Sequence, residues 1–122
     1  MYIKLGLFIG GKWIYEAKKG EDVLNPFDES VLGWLPHATE DNLNDAVKSA
    51  EKGFDEWRNT DPETRGRIIL KAADILSKRI SAVSEVMTLE QGKPLAESAG
   101  EINQSIAILK FNGTNAKLIK DD

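Results

Sequence analysis

Leu43, Ala46, Val47, Ala50, Phe54 and Trp57 recur at steps of 3, 1, 3, 4 and 3 residues, the spacing that gathers side chains on one stripe of an α-helix. Lys48, Glu51, Lys52 and Asp55 fall largely on the other side. An amphipathic helix is predicted here, opened by Thr39 as N-cap, with Glu40 and Asp41 placed where the helix dipole favours negative charge. Thr60-Asp61-Pro62-Glu63 has the form of a capping box with proline in the first turn, and Ile69, Ala72, Leu76 and Ile80 continue it as a second helix. Ser81 restarts the chain into a shorter third helix carrying Val83, Val86, Met87 and Leu89. It ends at Gln91-Gly92, where glycine takes a left-handed cap and Pro94 forbids continuation. Pro94 then suits the first turn of a fourth helix with the stripe Leu95, Ala99, Ile102, Ile106 and Leu109. Gly100 weakens its middle, and Asn112-Gly113 marks its end or a fray.

Before the helices the period shortens. Leu7-Phe8-Ile9 and Trp13-Ile14-Tyr15 are β-prone runs flanking Gly10-Gly11-Lys12, which predicts a hairpin. Glu16 to Asp22 reads as a connecting turn, after which Val23-Leu24 and Val31-Leu32-Gly33-Trp34-Leu35 form two more strands about an Asn25-Pro26 bend. The expectation is an α+β chain: hairpins over 1–36, about four helices over 39–111, and a tail over 112–122 without a pattern. A two-hairpin sheet is marginal alone, so the helices are expected to pack on it.

At 122 residues and 41% hydrophobic the chain has single-domain length, able to bury roughly two-thirds of its unfolded surface. Sixteen Lys plus Arg against 20 Asp plus Glu give a formal charge of −4, which offers no general attraction to nucleic acid or anionic lipid. There is no cysteine, which removes disulfides, thiolate metal sites and cysteine nucleophiles. Gly10-Gly11-Lys12 interrupts the apolar N-terminus before a signal-peptide core forms, and no run approaches the roughly 20 apolar residues of a membrane span. A cytoplasmic location is expected.

Candidate chemistry is sparse. His37 is the sole histidine and stands beside Pro36 with no serine partner at motif spacing, so it is assigned no role. Gly10-Gly11 sits between strands, whereas a phosphate cradle opens into a helix; Gly92-Lys93 lacks the flanking residues of a phosphate loop. Glu90, Glu97 and Glu101 are read as solvated helix charges, with Glu101 kept as a candidate cation ligand.

The run Leu89-Glu90-Gln91-Gly92-Lys93-Pro94-Leu95-Ala96-Glu97, preceded by Thr88 and followed by Gly100-Glu101, closely resembles a signature of aldehyde dehydrogenases, most like the succinate-semialdehyde branch. Upstream, Phe8-Ile9-Gly10-Gly11-Lys12-Trp13, Asn25-Pro26 and Ala46-Val47-Lys48-Ser49-Ala50 with Phe54 and Trp57 follow the family's N-terminal quarter in order. The similarity covers about residues 7 to 111. It implies that the chain corresponds to the N-terminal portion of the family's α/β cofactor domain, outer structure that helps build an oligomer. Family members oxidise an aldehyde through a thiohemiacetal on a cysteine, pass hydride to NAD or NADP, and hydrolyse the thioester with help from a glutamate. No position of this chain matches those residues, so no catalytic or cofactor-binding residue is expected in it, and it is not expected to bind NAD or NADP alone. Glu101 matches an acidic residue that in some members helps hold a structural monovalent cation with backbone carbonyls, here of Val23 or Leu24. The third contributor is expected beyond Asp122, leaving that site incomplete. Asn112, Gly113 and Thr114 replace a stretch usually aromatic and small, and Asn115 to Asp122 no longer tracks the pattern, which reads either as truncation or frameshift or as divergence.

Two functional classes follow. In the first, the chain is the N-terminal part of an NAD(P)-dependent semialdehyde dehydrogenase, inactive until the remaining segment joins it. In the second, it is a non-catalytic, self-associating helical module, because its apolar stripes otherwise meet water.

Overall fold

A computed structural model, describing residues 2–118, shows two β-hairpins followed by four helices. Strands β1 (Leu7–Ile9) and β2 (Lys12–Ile14) pair antiparallel, with Phe8 opposite Trp13. Gly10 and Gly11 join them at φ of +58° and +77°, the left-handed pair that matches a two-residue loop to strand twist. Strands β3 (Gly20–Leu24) and β4 (Val31–Pro36) form the second antiparallel hairpin. β3 starts three residues before the first apolar pair because the ladder is made by backbone, and Glu21 and Asp22 pair there with Leu35 and Trp34. At the Asn25-Pro26 bend the Phe27 N–H donates to Asn25 Oδ1 at 3.0 Å, an Asx-turn.

The chain divides into two compact units, one of the residues up to Glu56 with Leu89–Gly92, the other of Trp57–Thr88 with the residues from Lys93 on. The first unit contains both hairpins and most of α1 (Glu40–Arg58). Thr39 caps α1 as predicted: the Asn42 N–H donates to Thr39 Oγ1 at 3.2 Å, and Asn42 Oδ1 accepts from the Thr39 N–H at 3.0 Å. Asparagine thus takes the place of Glu or Gln in a reciprocal capping box.

Burial on α1 departs from the apolar pattern. No residue of the helix is buried, and Leu43, Val47 and Phe54 are 61%, 51% and 63% exposed. The half-buried positions are Asn42, Ala46 and Ser49, about 100° around the helix from the large side chains. Ser49 Oγ lies 3.7 Å from where a Cβ on Gly10 would stand. Ser49, a small residue, is thus where the helix meets the turn of the first hairpin.

In the second unit α2 (Pro62–Ser77), α3 (Ile80–Gln91, whose last turn belongs to the first unit) and α4 (Leu95–Asn115) supply the core. Asp61, not Thr60, caps α2: its side chain accepts from the Thr64 N–H at 2.8 Å. Pro62 explains the shift, because a residue before proline is driven to extended backbone, and Asp61 sits at φ −60°, ψ 147°. α2 stops at Ser77, where the Arg79 N–H turns back to the Leu76 carbonyl at 2.9 Å. Ile80 consequently opens α3 rather than closing α2.

The core gathers Ala73, Ile102 and Ile106, with Leu76, Ile80, Val83, Met87 and Leu109 packed around them. Ala73 replaces the predicted Ala72 on the inner line, and Leu95 is 51% exposed. Gly113 is not a helix stop. It is buried within α4, and a Cβ on Gly66 would stand 2.5 Å from its carbonyl oxygen. Two helix backbones touch here because neither carries a side chain. Asn112 and Asn115 turn their Nδ2 groups back to the carbonyls of Ile108 and Phe111, so the asparagine accompanies the helix instead of ending it. Ala116–Leu118 adds a short 3-10 turn.

Gly66→Val is expected to cost about 1–3 kcal/mol by overpacking. Gly100→Ala, where a Cβ meets nothing within 4 Å, should stabilise by about 0.5–1 kcal/mol. Urea unfolding followed by circular dichroism reads both, and an unchanged midpoint for Gly66→Val would refute the close crossing.

Candidate functional site

The segment from Thr88 to Glu101 carries the most specific sequence pattern, and Thr88, Glu90, Lys93, Ser98 and Glu101 each have a side-chain partner. In the first unit, α3 ends at Gln91, and Gly92 takes φ +70°, the left-handed cap read from the sequence. A Cβ on Gly92 would stand 3.0 Å from Pro26 Cγ, so the cap is also a packing contact with the Asn25-Pro26 bend. One residue before Gln91, Glu90 Oε1 accepts a hydrogen bond from the Tyr2 hydroxyl. The Tyr2 ring lies over the backbone of Gly33.

In the second unit, Lys93 Nζ donates to Glu101 Oε1 at 2.6 Å, with side-chain exposures of 22% and 51%. Charge-assisted bonds of this length are among the stronger polar contacts. Thr88 and Ser98 share a hydroxyl hydrogen bond of 2.8 Å, and Ser98 is fully buried. Pro94 flanks the start of α4 in extended conformation, one position before the helix proper, and its carbonyl accepts from the Glu97 and Ser98 N–H groups at 3.0 and 3.2 Å. Glu97 lies in the first turn, where a negative charge is favoured.

Of the other candidates, His37 and Gly10-Gly11 lie apart from this segment, and Gly92-Lys93 lies within it. His37 Nε2 lies 3.6 Å from Glu21 Oε1 on the second hairpin, at 49% and 64% side-chain exposure, a surface pair. Gly10-Gly11 closes two strands, so no helix N-terminus presents amides to a phosphate. Lys93 of Gly92-Lys93 is engaged by Glu101. The glycine turns therefore do not fit a dinucleotide. Glu101 has one carboxylate oxygen committed to an ammonium, and among the described residues no group of three or more His, Cys, Asp or Glu side chains converges.

Sequence reasoning missed Tyr2, whose partner lies 88 positions away and leaves no local signature. The Thr88–Ser98 and Lys93–Glu101 pairs were signalled only by residue types of opposite capacity flanking a helix break. The Tyr2 hydroxyl is pushed from 10.0 up to about 12 by loss of hydration, the bond to Glu90 and the charge of Glu90, in that order. Its ionisation is opposed only in the folded chain. The stabilisation is therefore complete below pH 10 and lost as the pH rises through about 12.

The melting temperature of the chain should accordingly fall more steeply above pH 10 than that of Tyr2→Phe; parallel curves would remove the Tyr2–Glu90 bond from the folded state. Gly92→Val should cost about 1 kcal/mol or more through its backbone conformation, and unfolding at the parent urea midpoint would rule out the cap.

The family described as "Aldehyde dehydrogenase family" matches residues 13–122, extending across the 112–122 stretch where the pattern ceased to be legible. The chain is similar to an aldehyde dehydrogenase of Davidiella tassiana, 34% identical over 111 residues, covering 88% of this chain and 22% of that protein. It is similar to the alpha-ketoglutarate semialdehyde dehydrogenase of Haloferax volcanii, 34% identical over 111 residues, covering 89% of this chain and 23% of that one. Its fold matches the crystal structure of an NAD-dependent aldehyde dehydrogenase from Sinorhizobium meliloti with a TM-score of 0.91 at 26% identity, covering 100% of this chain and 25% of that chain. The chain thus spans about a quarter of the length of these relatives. Relatives named for lactaldehyde, alpha-ketoglutarate semialdehyde and malonate semialdehyde all match, so the likeness is to the family and not specifically to its succinate-semialdehyde branch.

Proposed function

The chain belongs to the aldehyde dehydrogenase family, and from that premise we propose that it forms the N-terminal structural part of an NAD(P)-dependent semialdehyde dehydrogenase of the cytoplasm. The observation that carries this reading is the fit of the whole chain to about one quarter of a dehydrogenase of the same fold. Its own residues act by capping, pairing and packing, and the cysteine nucleophile and the cofactor cradle must be supplied by other polypeptide, because this chain contains no cysteine and its glycine turns do not fit a dinucleotide. Semialdehydes are the favoured substrate class, succinate semialdehyde first, on the resemblance of residues 88–101 to that branch. Glu101 joins the reading as a cation ligand only if Lys93 is displaced from it, since both claims draw on the same carboxylate.

Complementation in trans tests this. The chain is mixed with the complementary segment of a relative, NAD or NADP, and succinate semialdehyde, malonate semialdehyde or lactaldehyde in turn, and formation of reduced cofactor is followed by absorbance. Neither part alone should turn over, and together they should. Tight association without recovered activity on any of the three would sink the proposal, as would turnover by this chain unaided.

A further inference from the structure

We propose that a cleft beside the α2–α4 crossing, within the second unit, is a binding site for a small aromatic carboxylate, a single ring bearing one anionic group. The site stands apart from the dehydrogenase reading, since neither a nucleophile nor a dinucleotide enters it. A cleft of about 190 Å³ opens there, lined by Trp57, Arg65, Ile69, Asn112 and Ala116. Its walls follow from the close approach of Gly66 and Gly113, whose chain neighbours Arg65 and Asn112 both line this flank of the crossing. Arg65 and Ile69 stand one turn apart on α2, Asn112 and Ala116 one turn apart at the end of α4, and Trp57 comes from the last turn of α1. Two backbones already in contact cannot slide closer, so the cleft is formed before any ligand arrives.

The lining selects the ligand. Arg65 is the one charged residue among the described residues that line the cleft, and it is half-buried. Among the described residues no ion pair engages its guanidinium. The acids of the same stretch are directed elsewhere. Asp61 caps α2, and its carboxyl is held below the usual value by its Thr64 bonds and by the charge of Arg67; Glu63 lines a separate cleft with Arg67. A cation near the start of a helix is opposed by the helix dipole and, half out of water, by lost hydration, and an anion offsets both. The planar fork of arginine suits a carboxylate in two-point contact. Trp57, 42% exposed, offers an indole face for offset stacking of a ring, and Ile69 and Ala116 add apolar surface. Asn112 has given one amide hydrogen to the Ile108 carbonyl at 2.9 Å and keeps the other for a ligand oxygen. The volume, that of roughly six waters at about 30 Å³ each, admits one ring with its carboxylate and is too small for a nucleotide.

Trp13, Trp34 and Trp57 are the three tryptophans of the chain, and each gives one indole N–H signal in a proton–nitrogen NMR spectrum, with Trp57→Phe assigning its own. Titration with sodium benzoate at constant ionic strength should move the Trp57 signal saturably, with a dissociation constant of millimolar order, and leave those of Trp13 and Trp34 in place. Acetate, which lacks the ring, and benzyl alcohol, which lacks the charge, should each bind at least about tenfold more weakly. Arg65→Gln should weaken benzoate by about tenfold or more, and Arg65→Lys, which keeps the charge without the fork, should fall between it and the parent. Should glutamine lower the helical circular dichroism, the lysine variant carries the comparison. The absence of a saturable Trp57 shift, benzoate affinity unchanged in a folded Arg65 variant, acetate binding as tightly as benzoate, or three indole signals moving together would each overturn the proposal. Trans-complementation involves no benzoate, so the two readings fail separately.

Discussion

The helical part of this protein depends on the meeting of α2 and α4 at Gly66 and Gly113. A Cβ on either residue would intrude on the other's backbone, at 2.5 Å from the Gly113 oxygen in one case and 3.0 Å from the Gly66 oxygen in the other. That approach sets how near Ala73 comes to Ile102 and Ile106, and a buried alanine fills its place only when the helices are this close. It also fixes the length of α4. A glycine after asparagine normally ends a helix, but here continuation brings Gly113 and then Ala116 into burial, and the packing outweighs a propensity cost of about 1 kcal/mol.

What was legible in the sequence follows from the range of the interactions. Thr39 and Gly92 act as read because a cap is settled within four residues, by hydrogen bonds the local chain can supply. The shift from Thr60 to Asp61 was local too, and proline's demand on its predecessor decided it. Helix phase is another matter. Ala72 and Ala73 differ by 100° of rotation, and only the position of the facing helix chooses between them. On α1 the same 100° separates the large apolar row from the half-buried Asn42, Ala46 and Ser49. Periodicity identified the stripe and said nothing about which neighbour exists to cover it. Tyr2 and Glu90 could not be paired from sequence because chain distance carries no information about a contact between a terminus and a helix end.

The candidate site shows how a highly specific motif can be mechanical. Gly92 supplies a backbone conformation, Pro94 blocks α3 and primes α4, Lys93 ties the new helix to its own second turn at Glu101, and Thr88 and Ser98 satisfy one another where water is excluded. Each residue type is required by a distinct physical demand of a sharp helix-to-helix break. Family membership is therefore visible in a stretch whose described contacts are a cap, side-chain pairs and packing. The chemistry that defines the family needs a thiolate, an oxyanion donor and a cofactor cradle, and a break of this kind furnishes none of them.

The same economy explains why this polypeptide has an unfinished surface. Ala73, Ile102, Ile106 and Ala116 are its buried hydrophobic residues among those described, two of them alanines, so little of the stabilisation comes from large side chains removed from water. Phe8, Trp13, Leu43, Phe54 and Phe111 remain between 56% and 69% exposed, and covering what is left of each would contribute roughly 1–2 kcal/mol. Set against a typical net folding stability of about 5–15 kcal/mol, that reserve is as large as the whole difference between folded and unfolded chain. Stability and partnership are then the same quantity: whatever covers the exposed apolar residues of α1 and the hairpin aromatics also deepens the native state.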